Sequence, residues 1–205
     1  MAKILVIITA TLALVIAIFL LFKKDPAITN FPSRGTSLIA FGDSLVEGVG
    51  ATKDNDFVSI LSKLIGQPII NMGVSGNTSK NGLDRIDTVT SQKPKVVLVL
   101  LGGNDFLRKI PKAETFKNID DVVFKIQQSG AVVILLGVRG GILTDQYEEQ
   151  FENIADNRGA LYVKDVLDGI ITNQKYMSDA IHPNDAGYKK IAEKVEPALK
   201  KALGL

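Results

Sequence analysis

No cysteine occurs among the 205 residues of this chain. That excludes disulfides, thiol nucleophiles, thiolate metal sites and an anchor of the lipoprotein kind. Histidine occurs once, at position 182, so any imidazole chemistry must use it, and metal centres built on several histidines are excluded. Charge of one sign is also scarce. The net charge is +2; Lys3, Lys23, Lys24 and Arg34 against Asp25 give the first 35 residues +3, and the rest of the chain carries −1. The remaining 20 basic and 21 acidic residues nearly balance, which leaves no electrostatic footprint for a nucleic acid.

Charge is missing altogether from Ile4 to Phe22, a run of 19 residues whose only polar members are Thr9 and Thr11. At about 1.5 Å per residue it is long enough to cross a bilayer core. A cleaved signal has an apolar stretch of about 7–15 residues and a small-x-small cleavage site. Neither matches here, so an uncleaved signal anchor over residues 1–22 is preferred to a cleaved signal and a secreted form. Lysines flank the run on both sides, so the positive-inside rule gives no orientation. Residues 23–35, with two prolines and two lysines, read as a linker, and residues 36–205 as one domain with a full core. The expected location is membrane-anchored, with the domain outside the cytoplasm.

From Ser37 onward short apolar runs alternate with helical periodicity. Strands are expected at Ser37–Phe41, Ile69–Val74, Lys95–Leu101, Ala131–Val138 and Leu161–Val163. Helices are expected at Asp56–Ile65, Thr78–Ser91, Thr115–Ser129, Asp145–Arg158 and Asn184–Leu203. Asp145 with Glu148 reads as an N-cap pair. The run Val96–Leu101 is the most apolar and belongs at the sheet centre. The alternation implies an α/β domain: a three-layer α/β/α, flavodoxin-like arrangement around a five-stranded parallel sheet.

Polar clusters follow the strand ends. Ser44 follows the first strand; Asn71, Ser75, Gly76 and Asn77 accompany the second. Gly102-Gly103-Asn104-Asp105 follows the third, Arg139-Gly140-Gly141 the fourth, and Asp179 and His182 lie beyond the fifth. In a parallel sheet all carboxyl ends share one edge, where residues far apart in sequence converge. Each cluster taken alone is also ordinary turn chemistry. Asp179, three residues before His182, is placed to reach Nδ1 and set the tautomer. Asn104 at the mouth of the central strand can donate to an oxyanion. Gly76, lacking a Cβ, can bring its N–H close to a substrate. Arg139 is either a solvated charge or a substrate contact. Phe106, Leu107, Ile110, Ile142 and Leu143 either wall an acyl pocket or pack their own loops. Asp43 reads as a brace for the turn that carries Ser44.

Four stretches in order, Gly42-Asp43-Ser44-Leu45, Ser75-Gly76-Asn77-Thr78, Gly102-Gly103-Asn104-Asp105 and Asp179-x-x-His182-Pro183, resemble the motif blocks of the SGNH (GDSL) hydrolases. The likeness covers Leu38 to the C-terminus and is nearest to the bacterial thioesterase I/lysophospholipase (arylesterase) type. It implies Ser44 as nucleophile, His182 as base, Asp179 as its orienting acid, and an oxyanion hole from the Ser44 and Gly76 N–H groups and the Asn104 side chain. One departure is visible: the family type often has Asp after the second-block glycine, where this chain has Asn77, a position without a catalytic role in the family.

The resemblance implies a serine hydrolase that cleaves esters or thioesters of small-molecule or lipid acyl substrates through an acyl-enzyme, with no metal or cofactor. The readings that remain beside it are a carbohydrate O-acetyl esterase at the cell envelope and a catalytically silent, membrane-tethered binding module.

Overall fold

The computed structural model describes residues 27–141 and 147–205. The expected membrane span Ile4–Phe22, the candidate pocket residues Ile142 and Leu143, and Asp145 of the expected N-cap pair lie outside the described residues. Among the described residues no helix is long and apolar enough to cross a membrane.

Five strands form one parallel sheet: β1 (Ser37–Gly42), β2 (Ile69–Gly73), β3 (Pro94–Leu100), β4 (Val132–Leu136) and β5 (Leu161–Val163), in the order β2-β1-β3-β4-β5. That is the flavodoxin-like order, with the crevice at the carboxyl ends of β1 and β3, where the chain reverses its direction across the sheet. The apolar runs of β1, β3 and β4 are buried on both faces, as continuous rather than alternating hydrophobicity requires. Leu38 pairs with Val96 and Ile69, and Val97 with Val133, in the registers that stack these runs.

The helices are α1 (Ser44–Glu47), α2 (Phe57–Ile65), α3 (Ser79–Asp84), α4 (Asp87–Thr90), α5 (Gly103–Leu107), α6 (Lys112–Gln128), α7 (Glu148–Arg158) and α8 (Asp185–Leu203), with a 3-10 turn at Gln174–Tyr176. Right-handed crossovers from β1 to β2 and from β3 to β4 run in opposite directions, so they put α2 and α6 on opposite faces. Helix α2 packs against α8 on one face, and α6 against α3 and α7 on the other. Helix starts follow local chemistry. Asp56 caps α2 through Ser59 N, Thr78 and Asn81 form a capping box on α3, and Asn184 caps α8 through Gly187 N.

Three differences from the sequence expectations matter for the site. Ser44 does not sit in a loop: it opens the helical turn α1, with Asp43 as its cap and Gly48, at φ +93°, ending it. Gly42 and Gly73 make room for that turn. A Cβ on Gly42 would lie 2.2 Å from the Leu100 carbonyl oxygen, and one on Gly73 would lie 2.1 Å from Glu47 N. The helix expected over Thr78–Ser91 is two short helices, because Arg85 leaves the helical path and its N–H turns back to the Gly82 carbonyl. Finally, α7 begins at Glu148 with Tyr147 at its N-cap, and Tyr147 makes no side-chain capping bond.

Residues 29–37 form a strap along the amino edge of the sheet. Thr29 bonds Gly159 and Arg158 just before β5, and Asn30 and Ser33 bond Ala131 and Gly130 just before β4. Thr36 and Ser37 bond Lys93 and Gln92 just before β3.

Candidate active site

The site is assembled at the carboxyl edge of the sheet. Asp43 Oδ1 accepts a 3.0 Å hydrogen bond from Leu45 N, so the residue before Ser44 holds the turn that presents it. The loop after the 3-10 turn brings in His182. Its Nε2 lies 3.0 Å from Ser44 Oγ, and its Nδ1 lies 2.7 Å from Asp179 Oδ2. Asp179 Oδ1 accepts from the Ile181 and His182 amides at 2.8 and 2.7 Å. The imidazole bond first, and then these two amides, hold the Asp179 carboxyl down to about 2. Above that pH it is a pure acceptor, so Nδ1 carries a proton, and in the neutral imidazole the lone pair of Nε2 faces Ser44 Oγ.

Asp43 is nine-tenths or more buried, and burial is the main cause that pushes its carboxyl up to about 7. Its Oδ2 lies 3.5 Å from Asn104 Nδ2, which makes a better bond of 3.0 Å to the Asn77 carbonyl. Gly76 has φ +77°, the left-handed region open to glycine, and its carbonyl accepts a 2.8 Å bond from Arg108.

Ser44, Asn104 and His182 open onto a cavity of about 190 Å³. Leu45, Phe106, Leu107, Leu167, Ile171 and Ile181 supply most of its apolar wall, and Arg139 lies on it too. Phe106 is backed edge-to-face by Tyr147 at 5.9 Å. Arg139 Nε stands 3.6 Å from Oδ2 of buried Asp165, whose carboxyl burial pushes up to about 6. Gly76 is not among the residues that line this cavity, and Ile142 lies outside the described residues. Among the described residues no group of His, Asp and Glu is placed to hold a metal ion.

Several residues that shape the site had no role assigned to them by the sequence. Arg85 donates from Nε to Asn77 Oδ1 at 2.7 Å and from a terminal nitrogen to the Gly42 carbonyl at 2.8 Å, with its guanidinium 4.1 Å from the Phe41 ring centre. Glu47 Oε2 accepts from Ser75 N at 2.6 Å. Asp105 accepts from the Ser79 amide and hydroxyl, which docks α3 against α5. The loop from Ser75 to Thr78 is thus held by Glu47, Arg85, Arg108 and Asn104. A charged residue on a helical pattern looks the same whether it faces water or a distant carbonyl, and the spacing of Leu83, Ile86 and Val89 runs unbroken past Arg85.

Known proteins are similar to this chain in sequence and fold. The pattern of the GDSL-like Lipase/Acylhydrolase family matches residues 40–190, a span that contains all four polar blocks. The chain is 30% identical over 179 residues to the esterase TesA of Pseudomonas aeruginosa, covering 82% of this chain and 89% of that protein. It is 25% identical over 166 residues to thioesterase 1/protease 1/lysophospholipase L1 of Escherichia coli, covering 77% and 80%. A crystal structure of the psychrotrophic esterase EstA from Pseudoalteromonas sp., inhibited by monoethylphosphonate, aligns with a TM-score of 0.73 at 25% identity, over 82% of this chain and 99% of that one.

Proposed function

The chain belongs to the GDSL-like lipase/acylhydrolase family and is a carboxylic ester hydrolase; we propose that Ser44 is its nucleophile, His182 its general base and Asp179 the acid that orients the imidazole. The single observation that carries this reading is the unbroken line from Asp179 Oδ2 through the imidazole to Ser44 Oγ, at 2.7 and 3.0 Å. With Nδ1–H donating to Asp179 Oδ2, Nε2 is free to take the Ser44 proton as Oγ bonds to the carbonyl carbon. The negative charge that develops on the carbonyl oxygen meets the N–H groups of Ser44 and Gly76 and the amide of Asn104. Asn104 keeps one N–H on the Asn77 carbonyl; the other has only the 3.5 Å contact with Asp43, and that one turns to the oxyanion. The imidazolium then protonates the departing alcohol or thiol as its bond to carbon breaks. Water, deprotonated by the same nitrogen, releases the acid from the acyl-enzyme.

The substrates are acyl esters or thioesters. Leu45, Phe106, Leu107, Leu167, Ile171 and Ile181 suit a hydrocarbon chain, which an acetyl group would leave uncovered. No step calls on a metal or cofactor. The uncharged run Ile4–Phe22 anchors the domain to a membrane, by its length alone.

A fluorophosphonate probe tests the nucleophile: labelling of wild-type protein and none of a folded Ser44→Ala variant is expected. Labelling of both would move the nucleophile elsewhere. Turnover of p-nitrophenyl esters from acetyl to long acyl tests the chain preference, and a sharp optimum at acetyl would overturn the acyl assignment.

A further inference from the structure

The strap fixes where the chain enters the domain, and that point is opposite the active site. Ala27 lies against Gly159, since a Cβ on that glycine would come within 2.9 Å of the Ala27 carbonyl oxygen. Gly159 lies just before the amino end of β5. From there Thr29 donates to Gly159 O at 2.9 Å and to Arg158 O at 2.8 Å. Asn30 donates to Gln127 O and Ala131 O at 2.8 and 3.0 Å, and Ser33 to Gly130 O at 2.8 Å. Every one of these acceptors belongs to the amino edge of the sheet, whereas Ser44 and His182 stand at the carboxyl edge. The two edges are separated by the length of the strands, and the seven residues of β3 span about 23 Å.

Only Lys23–Pro26 separate the apolar run from Ala27, which lies against Gly159 at the amino edge. Four residues reach at most about 14 Å when fully extended. That is too short to carry the chain from the amino edge around to the carboxyl edge. The domain therefore cannot roll over to lay its cavity on the surface that holds Ile4–Phe22 while the strap stays bonded.

The geometry points to an active site that faces away from its own anchoring bilayer and takes acyl esters delivered from the aqueous side, rather than acyl lipids embedded in that bilayer. This rests on the membrane-anchor and ester-hydrolase readings above. The exposed apolar residues at the cavity, Phe106, Leu107 and Ile181, fit the same picture: they are presented to arriving substrate at the far end of the domain.

The test uses the full chain reconstituted in phosphatidylcholine vesicles, with a fluorogenic acyl ester lipid in the same bilayer and p-nitrophenyl butyrate in solution. A variant with a 15-residue Gly/Ser segment inserted between Pro26 and Ala27 is compared with wild type. The expected result is turnover of p-nitrophenyl butyrate unchanged by the insertion and turnover of the in-bilayer ester raised at least tenfold. Equal in-bilayer turnover by both proteins overturns the orientation. Flotation of the vesicles distinguishes the other failures. Protein that does not float with the lipid refutes the anchor and the proposal with it, and floating protein without p-nitrophenyl butyrate turnover refutes the hydrolase reading.

Discussion

Arg85 donates a 2.8 Å hydrogen bond to the carbonyl of Gly42, the last residue of the strand that delivers Ser44. The same guanidinium holds Asn77 Oδ1 at 2.7 Å, so one side chain ties the strand before Ser44 to the loop that carries Gly76. Arg85→Met removes both bonds. Stability should fall by at least about 1.5–3 kcal/mol in urea denaturation, the usual worth of one such bond made by a charged group. Turnover should fall with it, and Arg85→Lys should recover only part of the loss, because an ammonium lacks the planar fork. Wild-type kinetics in Arg85→Met would show that the loop holds its place without this tie.

Ser44→Ala and His182→Ala should each lower kcat by several orders of magnitude while circular dichroism and melting stay native-like. The chain has no second imidazole, so substantial residual activity in His182→Ala would refute the triad outright. Asp179→Asn should cost roughly 1,000-fold or more, because an amide in that position can favour the wrong tautomer of His182.

Asn104→Ala should lower kcat by about 100–1,000-fold with little change in KM, the pattern of a group that binds the transition state more tightly than the substrate. A change in KM alone would place Asn104 in substrate binding.

Asp43 gives the protein a pH-dependent stability with a defined sign. Burial pushes its carboxyl up from 3.8 to about 7, so the native state holds a proton that the unfolded chain releases. Stability therefore falls as pH rises from about 4 to 7 and levels off above. Asp165, pushed up to about 6, acts in the same direction. Asp43→Asn keeps an acceptor for Leu45 N and removes the ionisation. Its gain over wild type should be larger at pH 8 than at pH 5, by on the order of 3 kcal/mol, measured by denaturant unfolding at both pH values. An equal offset at the two pH values would mean that Asp43 titrates alike in the folded and unfolded chain.

The positions of the strands were legible in the sequence because each is a short run between turn residues, and for β1, β3 and β4 burial on both faces makes that run continuously apolar. Leu161–Val163 is the same three residues in expectation and structure, and Asn184, the first residue of the expected last helix, stands at its N-cap. The helix over Thr78–Ser91 was misread for a physical reason. Leu83, Ile86 and Val89 keep helical spacing across the break, so periodicity cannot register that Arg85 has left the helix to reach Gly42. The turn at Ser44–Glu47 was missed because four residues are too few to show a period.

What the sequence by itself determined is the inventory: one imidazole, no thiol, five strands, and polar clusters after their carboxyl ends. Those features are local, since an apolar run or a capping aspartate acts on its near neighbours. Tertiary structure decided the contacts that make the inventory a site. It set the 3.0 Å approach of His182 to Ser44 across 138 positions, the grip of Arg85, Glu47 and Arg108 on the Gly76 loop, and the strap that enters beneath the opposite edge. These depend on which carbonyl a folded neighbour leaves within reach of a distant side chain, and no periodicity along the chain encodes that distance.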